Sequence, residues 1–551
     1  MKKPYRIQLI ACAIEQSPLA YPLGALCILT ALKTNLELKD HIEVELSHFM
    51  GDQDDPQQAA KHIATRQCDL IGISLYLYNR AWFEEFLEAF QLESSSPTKI
   101  FAGGPEAGAN PTQLLDSTIN FIILGEGEES IIQAISLLLT GEEPRGRGIL
   151  TKNSGEGPHH PQDLALLASP LLSGIAVPSE YDGVLWEMTR GCPYECAFCF
   201  ESRGNRSVRN YPISRLKAEL EVLIAHDVKH VFVLDPTFNM DRKLTIERLT
   251  LLRDTAPNDM HFTFEVRAEL LDSQTVQLFA QLYCSLQIGL QSSNPTVLEQ
   301  INRHFNAELF SKSIALLKKS GIVFGLDLII GLPSDTLSSF KASLDYAITC
   351  QPSNLDIFLL ALLPGTQLAH DAESLGLVHQ KESPYLLEKS PSMNEEAITQ
   401  ALQLKEACDQ FYTHGQAVMW FHAACDGVAL RPVELLEAFI QYTGEFPIRE
   451  EEDIFEVQDR FIQHLYIQQG CAPLLPALLS YMELHQGIIH LQETGESPVV
   501  SLYYDVDDLA LLDTMHVKEF TRTYRAYEES IPYGIFMGDG TLYVEKIVGY
   551  P

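Results

Sequence analysis

Twice along the chain, short apolar runs rich in β-forming residues alternate with longer amphipathic ones. A chain so patterned buries its apolar faces as strands joined by helical crossovers. The first series has strand candidates at Arg6–Ala13, His41–Met50, Asp69–Leu77, Lys99–Gly103 and Phe121–Gly125, with helical stretches at Leu23–Leu36, Pro56–Thr65, Arg80–Leu92 and Glu128–Leu139. It predicts an open, doubly wound parallel sheet of flavodoxin-like kind, whose ligand sits at the carboxyl ends of the strands. Those ends carry Ser74, the pair Gly103 and Gly104, and the run Gly125, Glu126, Gly127.

A polar stretch rich in Gly and Pro follows, and the second series begins beyond it, with strand candidates at Val184–Arg190, His230–Leu234, Phe262–Arg267, Leu286–Gln291, Val323–Gly331 and Leu355–Leu362. Helical stretches follow each of the first five strands, which predicts a partial (β/α)6 barrel of the TIM type, its site again at the carboxyl ends. After about residue 380 the pattern turns to long helical stretches and predicts a mostly helical third domain with a short β element near Ser501–Asp505 and Thr541–Val548. The expected boundaries are 1–145, a linker over 146–180, 181–385 and 386–551. The 551 residues leave ample room for three such cores.

Composition narrows the partners. With 39 Lys and Arg against 74 Asp and Glu, the formal charge is -35, and such a surface repels a nucleic-acid backbone or an anionic membrane. No apolar run approaches the length of a membrane span. The opening Lys2-Lys3 and Ile7–Ile14 imitate a signal peptide, but Gln8 interrupts the run and no small-residue cleavage site follows, so we expect a first strand of a cytoplasmic protein. Eleven scattered cysteines do not form a disulfide framework and suggest reduced thiols with a metal site.

The chemistry is carried by Cys192, Cys196 and Cys199, a CxxxCxxC straight after the first barrel strand. A closed zinc site needs a fourth ligand, and His160 and His226 lie far outside this loop. A four-iron cubane held by three thiolates instead leaves one iron open. A zinc loop with a distant ligand, or three core thiols, is the alternative. With Phe198 before the third cysteine, this stretch resembles the radical SAM superfamily from about Tyr181 to Leu377. The resemblance implies a 4Fe-4S cluster whose open iron binds S-adenosylmethionine, reductive cleavage to a 5'-deoxyadenosyl radical, and a flavodoxin- or ferredoxin-type electron donor.

It also assigns cofactor-facing roles to Phe198, to Asp235, Pro236 and Thr237, to a buried Glu265 and Arg267, and to Gln291 and Ser292 at the ends of successive strands. Structural ion pairing is the alternative for Glu265 and Arg267. Arg203, Arg206 and Arg209 are candidates for gripping carboxylates, with a solvated basic patch as the alternative.

The open sheet ahead of that barrel resembles the cobalamin-binding subgroup of the superfamily, over residues 4–385. Gly103 and Gly104 match the pair that lets the backbone approach the nucleotide tail, and Ser74, Gly125, Glu126 and Gly127 complete the implied site. None of His41, His48 or His62 has Asp two residues before it, so the resemblance implies base-off cobalamin without a histidine ligand. Cys12, Cys27, Cys68, Cys408, Cys425 and Cys471 read as core thiols, not ligands of a second cluster. The expected activity is cobalamin-dependent methylation of an unactivated carbon in a small molecule or peptide. Oxidation, cyclisation or rearrangement without methyl transfer is the alternative, and a non-catalytic iron-sulfur sensor a third.

Overall fold

Strand β1 (Tyr5–Ala13) is buried from Ile7 to Cys12, as the middle of a sheet covered on both faces must be. The structure is a computed structural model and describes residues 3–94, 97–201, 206–449, 452–538 and 540–547. The chain divides into two compact units, one made of residues 1–288, 299–323 and 360–391, the other of 289–298, 324–359 and 392–551.

In the first unit β1 lies between β2 (Ile42–Met50) and β3 (Leu70–Ser74), followed by β4 (Lys99–Gly103), β5 (Phe121–Ile123) and β6 (Ile149–Thr151), a six-stranded sheet in the order β2-β1-β3-β4-β5-β6. All pairings are parallel except β5 with β6. The 2-1-3-4-5 order is the doubly wound one expected. The sixth strand is a correction, because residues 149–151 fall within the stretch read as a linker. One face of the sheet packs Ile10, Cys12, Ile71, Ile73 and Ile100 against Phe83, Phe86 and Phe90 of helix Arg80–Glu93. On the opposite face Gly72 makes room, since a Cβ there would stand 2.3 Å from the Phe101 ring. The polar Gln8 is tolerated in the core because its amide is used: Nε2 donates to Ser47 Oγ at 3.1 Å and Oε1 accepts from Arg66 at 2.8 Å.

The same unit carries β7 (Val184–Trp186), a small antiparallel ribbon of β8 (Thr189–Arg190) with β9 (Arg209–Asn210), then β10 (His230–Val233), β11 (His261–Val266) and the start of β12 (Cys284–Gln291). β7, β10, β11 and β12 pair in parallel in that order. Helices Ile213–Ala225, Arg242–Thr255 and Ser273–Phe279 fall between them. On β11 the residues Phe262, Phe264 and Val266 are buried, and Phe264 packs on Phe238 and Phe279 with ring centroids 4.5 and 5.4 Å apart. A strand's side chains alternate between faces, so Thr263 and Glu265 take the opposite one. Residues 360–391 add the two-stranded β15 (Val378–His379) and β16 (Leu387–Lys389).

In the second unit β13 (Val323–Ile330) and β14 (Asn354–Leu359) are parallel, with helix Leu337–Thr349 between them in sequence. Helices at Glu395–Cys408, Phe421–Val428, Pro432–Glu445, Ile454–Gln468 and Leu475–Thr494 gather around Phe411, which touches Trp420, Phe421, Phe439 and Phe461. Phe411 sits in a π-helical turn, Asp409–His414, whose wide winding strands backbone carbonyls. The buried Gln458 answers them, donating to Phe411 O and Gly415 O at 2.8 and 2.9 Å. The terminal β element has three antiparallel strands, β17 (Val499–Leu502), β18 (Ile531–Gly538) and β19 (Thr541–Lys546), of which the middle one has no counterpart in the sequence reading.

Candidate active site

The cysteine loop is the tip of the β8/β9 ribbon, and its base is set by one carboxylate. Asp235, wholly buried after β10, accepts from Met188 N at 2.8 Å and Thr189 N at 2.9 Å and pairs with Arg248 at 3.2 Å. Burial pushes its carboxyl up, yet three converging donors fit the carboxylate form. Beyond Arg190 the chain turns at Gly191, whose φ of +93° suits glycine. Ala197 then fixes the loop, its N–H donating to Ile301 O and its carbonyl accepting from Leu368 N. Cys192 and Cys196 are buried, Cys199 is half-buried, and none of the three is in a disulfide. Burial pushes the Cys192 thiol up, so its thiolate calls for positive charge nearby. Arg303 brings Nη1 to 4.0 Å from Cys196 Sγ.

Among the described residues no three His, Cys, Asp or Glu side chains converge on one ion.

The remaining barrel candidates divide. Phe198 is half-buried in the loop. Arg267 lies over the Tyr194 ring, with 3.8 Å from its guanidinium carbon to the centroid, and donates to Glu269 at 2.9 Å. Asp235 is committed to the loop's base, which leaves backbone atoms around Pro236 and the half-buried Thr237 at the end of β10. Glu265 corrects the expectation of a buried carboxylate: it is exposed, because the phase of β11 gives burial to Phe264 and Val266. Gln291 and Ser292 belong to the second unit. Gln291 takes a φ of +68°, unusual for a side chain that is not glycine. Ser292 is structural, pairing with Ser343 Oγ at 3.2 Å and accepting from Asn294 N ahead of helix Pro295–Gln300. Of the three arginines, Arg206 is exposed and pairs with Glu195, Arg209 is buried on Glu126, and Arg203 lies outside the described residues.

At the carboxyl edge of the first sheet, Leu75 N donates to Gly103 O at 2.8 Å and ties the loop after β3 to the turn after β4. Gly104, at φ +100°, brings its backbone so near that a Cβ would stand 2.5 Å from Leu75 O. Ser74 is half-buried beside them. Ile14, Leu19 and Tyr78 leave large apolar side chains exposed in the loops after β1 and β3.

The Gly125–Gly127 run packs closely against its neighbours. Gly125 is laid against His159, with Glu126 N donating to His159 O, and a Cβ on Gly127 would strike Ile28 at 2.7 Å. Glu126 accepts from Arg190 at 3.1 Å, from Arg209 at 2.5 and 3.0 Å, and pairs with His160 at 3.0 Å. Arg190 also meets Glu128 and Glu187, both at 2.8 Å. Burial alone would push the Glu126 carboxyl up, but hydrogen bonds from His160 and Arg209 and the Arg190 charge bring it down to about 2. This cluster escaped the sequence reading, because its members lie up to 83 residues apart.

A family model described as the radical SAM superfamily matches residues 186–347, and one described as a B12 binding domain matches residues 17–135. The chain carries a radical SAM domain and a B12-binding domain. With TokK, a cobalamin-dependent radical SAM methyltransferase of Streptomyces tokunonensis, it shares 24% identity over 396 residues, 65% of this chain and 57% of TokK. The chain thus spans less than two thirds of that relative.

Its fold is similar to that of OxsB, a cobalamin-dependent S-adenosylmethionine radical enzyme solved with aqua-cobalamin, at a TM-score of 0.59 and 14% identity over 95% of this chain and 84% of OxsB. It is also similar to the radical S-adenosylmethionine methyltransferase TsrM of Kitasatospora setae, solved with cobalamin and a 4Fe-4S cluster, at 0.56 and 17% over 69% of this chain and 76% of TsrM.

The radical SAM domain implies a 4Fe-4S cluster and S-adenosylmethionine, and the three cysteines on one loop fit that cluster. The B12-binding domain implies cobalamin. The backbone cradle at Gly104 and the apolar residues exposed at its strand ends fit a broad, largely apolar macrocycle. Of the other cysteines, Cys12 lies in the sheet core, and Cys408 and Cys425 are buried. Among the described residues no helix is long and apolar enough to cross a membrane.

Proposed function

We propose that this protein is a cobalamin-dependent radical SAM methyltransferase that methylates an unactivated carbon of a small molecule or peptide. The observation that carries the reading is the loop of three cysteines joined, through Arg190 and Glu126, to the loop after β5 of the B12-binding domain. TokK, which bears this activity in its name, supports methyl transfer as the outcome. A second reading keeps the cofactors without methyl transfer and performs oxidation, cyclisation or rearrangement. Our domain order is a first domain of residues 1–145 completed by strand β6, a linker over the rest of 146–180, then 181–385 and 386–551; the setting is the cytoplasm, and the electron donor is a flavodoxin or ferredoxin.

When bound, the cluster with S-adenosylmethionine supplies a carbon-centred radical and cobalamin supplies a transferable methyl group. The chain does the rest. Cys192, Cys196 and Cys199 hold the cluster, and Asp235 holds the ribbon that presents them. Phe198 offers an aromatic face to adenine. Thr237, Glu265 and Arg267 line the barrel mouth toward the amino-acid end of S-adenosylmethionine. Ser74, Gly103 and Gly104 admit the nucleotide tail. The loops after β1, β3, β4 and β5 contain no histidine, so cobalamin is held base-off without a histidine ligand.

Anaerobic purification after iron, sulfide and cobalamin supplementation should yield about four irons and one cobalt per chain, and Cys196→Ala should lose the iron and all 5'-deoxyadenosine production. With a candidate substrate, the labelled methyl of S-adenosylmethionine should appear in product. Iron without cobalt would overturn the B12 assignment. A label that never reaches any product would overturn methyl transfer in favour of the second reading.

A further inference from the structure

The Gly104 turn is held from outside its own domain. Glu106, two residues on and only 3% exposed, accepts a hydrogen bond from Tyr385 at 2.6 Å. Arg80 meets the same carboxylate oxygen at 3.3 Å, and Asn110 donates to it at 3.3 Å and also reaches the Tyr385 hydroxyl. Two residues before Tyr385, Ser383 Oγ donates to Leu77 O at 3.1 Å, in the loop after β3. The segment thus touches both loops that flank Gly104, and the backbone bonds Glu106 N to Leu75 O and Leu75 N to Gly103 O lace those loops together. Its other side is anchored on residues 360–362, where Leu362 N donates to Tyr385 O and Leu387 N to Leu360 O.

Tyr385 is 4% exposed and takes a φ of +57°, a conformation that costs a bulky residue free energy. Strain of this kind persists where the surroundings over-determine it, and here the result is a phenol aimed at Glu106.

We propose that Tyr385 is a positioning residue for the nucleotide tail of cobalamin. Through Glu106 it fixes the Gly103-Gly104 turn against the loop after β3, so that the protein prefers a complete cobalamin to a corrinoid without its tail. The inference rests on the cobalamin reading above. It adds the residue that sets the gap and the ligand feature that the gap selects.

The test compares hydroxocobalamin with diaquacobinamide, which keeps the corrin ring and lacks the nucleotide tail. Binding of each to wild type and Tyr385→Phe is followed by equilibrium dialysis and absorbance, with iron content and melting temperature as controls on the fold. Losing a charge-assisted hydrogen bond should weaken hydroxocobalamin about tenfold in Tyr385→Phe. Diaquacobinamide should be unaffected, so the wild type's preference between the two collapses. Equal weakening of both, or of neither, would overturn the proposal, since a merely structural tyrosine acts without regard to the tail. Should Tyr385→Phe fail to fold, Ser383→Ala removes only the bond to Leu77 and should narrow the same ratio, while an unchanged ratio there would overturn the proposal. A wild type that binds neither corrinoid would remove the cobalamin reading itself, and this inference with it.

Discussion

Replacing Glu126 by Gln removes one charge from the cluster that joins the first sheet's last loop to the arginine before the cysteines. The native carboxyl sits at about 2 against an ordinary 4.5, and its side chain is 17% exposed, so solvent screens the interaction little. That difference corresponds to about 3 kcal/mol of stability at neutral pH. The variant should lose about that much, because Arg190 keeps Glu128 and Glu187 whereas Arg209 keeps only Pro161 O, its buried Nε having no partner.

The pH dependence has a definite sign. A carboxyl whose folded pKa lies below its unfolded one stabilises fully above 4.5 and loses that contribution as the pH falls toward 2. The gap between wild type and variant should therefore shrink from about 3 kcal/mol at pH 7 to about half that at pH 3. Urea unfolding of both proteins measures it, compared on the same transition because a chain of 551 residues need not unfold in two states. Adding Arg209→Met to Glu126→Gln should recover part of the loss. A single variant within about 1 kcal/mol of wild type at pH 7, or a gap that ignores pH, would refute the argument.

Two further substitutions separate the halves of the site. Asp235→Ala leaves the buried Arg248 uncompensated and unmoors Met188 and Thr189, at a cost of about 3–5 kcal/mol. It should lower both melting temperature and iron content, and unchanged iron would show that the ribbon does not depend on it. Gly104→Ala drives a Cβ to 2.5 Å from Leu75 O at a φ of +100°. It should abolish cobalt binding and leave iron incorporation intact, and full cobalt retention would place the cofactor elsewhere.

What sequence disclosed and what it concealed follow from the range of the interactions. The alternation of apolar runs gave β4 and helix Pro56–Thr65 to the residue, because strand and helix periods are local. β6 was hidden, for Ile149–Thr151 is only three residues in a stretch full of Gly and Pro, and becomes a strand by pairing antiparallel with β5. β18 was hidden likewise, since Pro532 and Gly534 interrupt a run that its two neighbours complete. At the site, the cysteine spacing was legible because one loop holds all three ligands. Glu265 was misjudged through its phase: sequence showed a strand, but not which face β11 turns to the core. Ser292 and Asp235 were legible as residues at strand ends and not as residues already engaged with Ser343 and Arg248.

The carboxylates around Arg190 raise the question of why this seam is ionic when apolar packing would stabilise as well. A buried ion pair recovers little more than its desolvation cost, so stability alone does not favour one. Direction does. An apolar contact tolerates sliding by an ångström at small cost, whereas Arg190 meets Glu126, Glu128 and Glu187 within 2.8 to 3.1 Å only in one arrangement. Two of those carboxylates follow β5 of the B12-binding domain and the third follows β7 of the radical SAM domain. The guanidinium therefore fixes the loop after β5 of the B12-binding domain against the loop that carries the three cysteines. In the function proposed above, chemistry between a cluster and cobalamin depends on their separation, and the arginine placed two residues before Cys192 holds these two loops in one register.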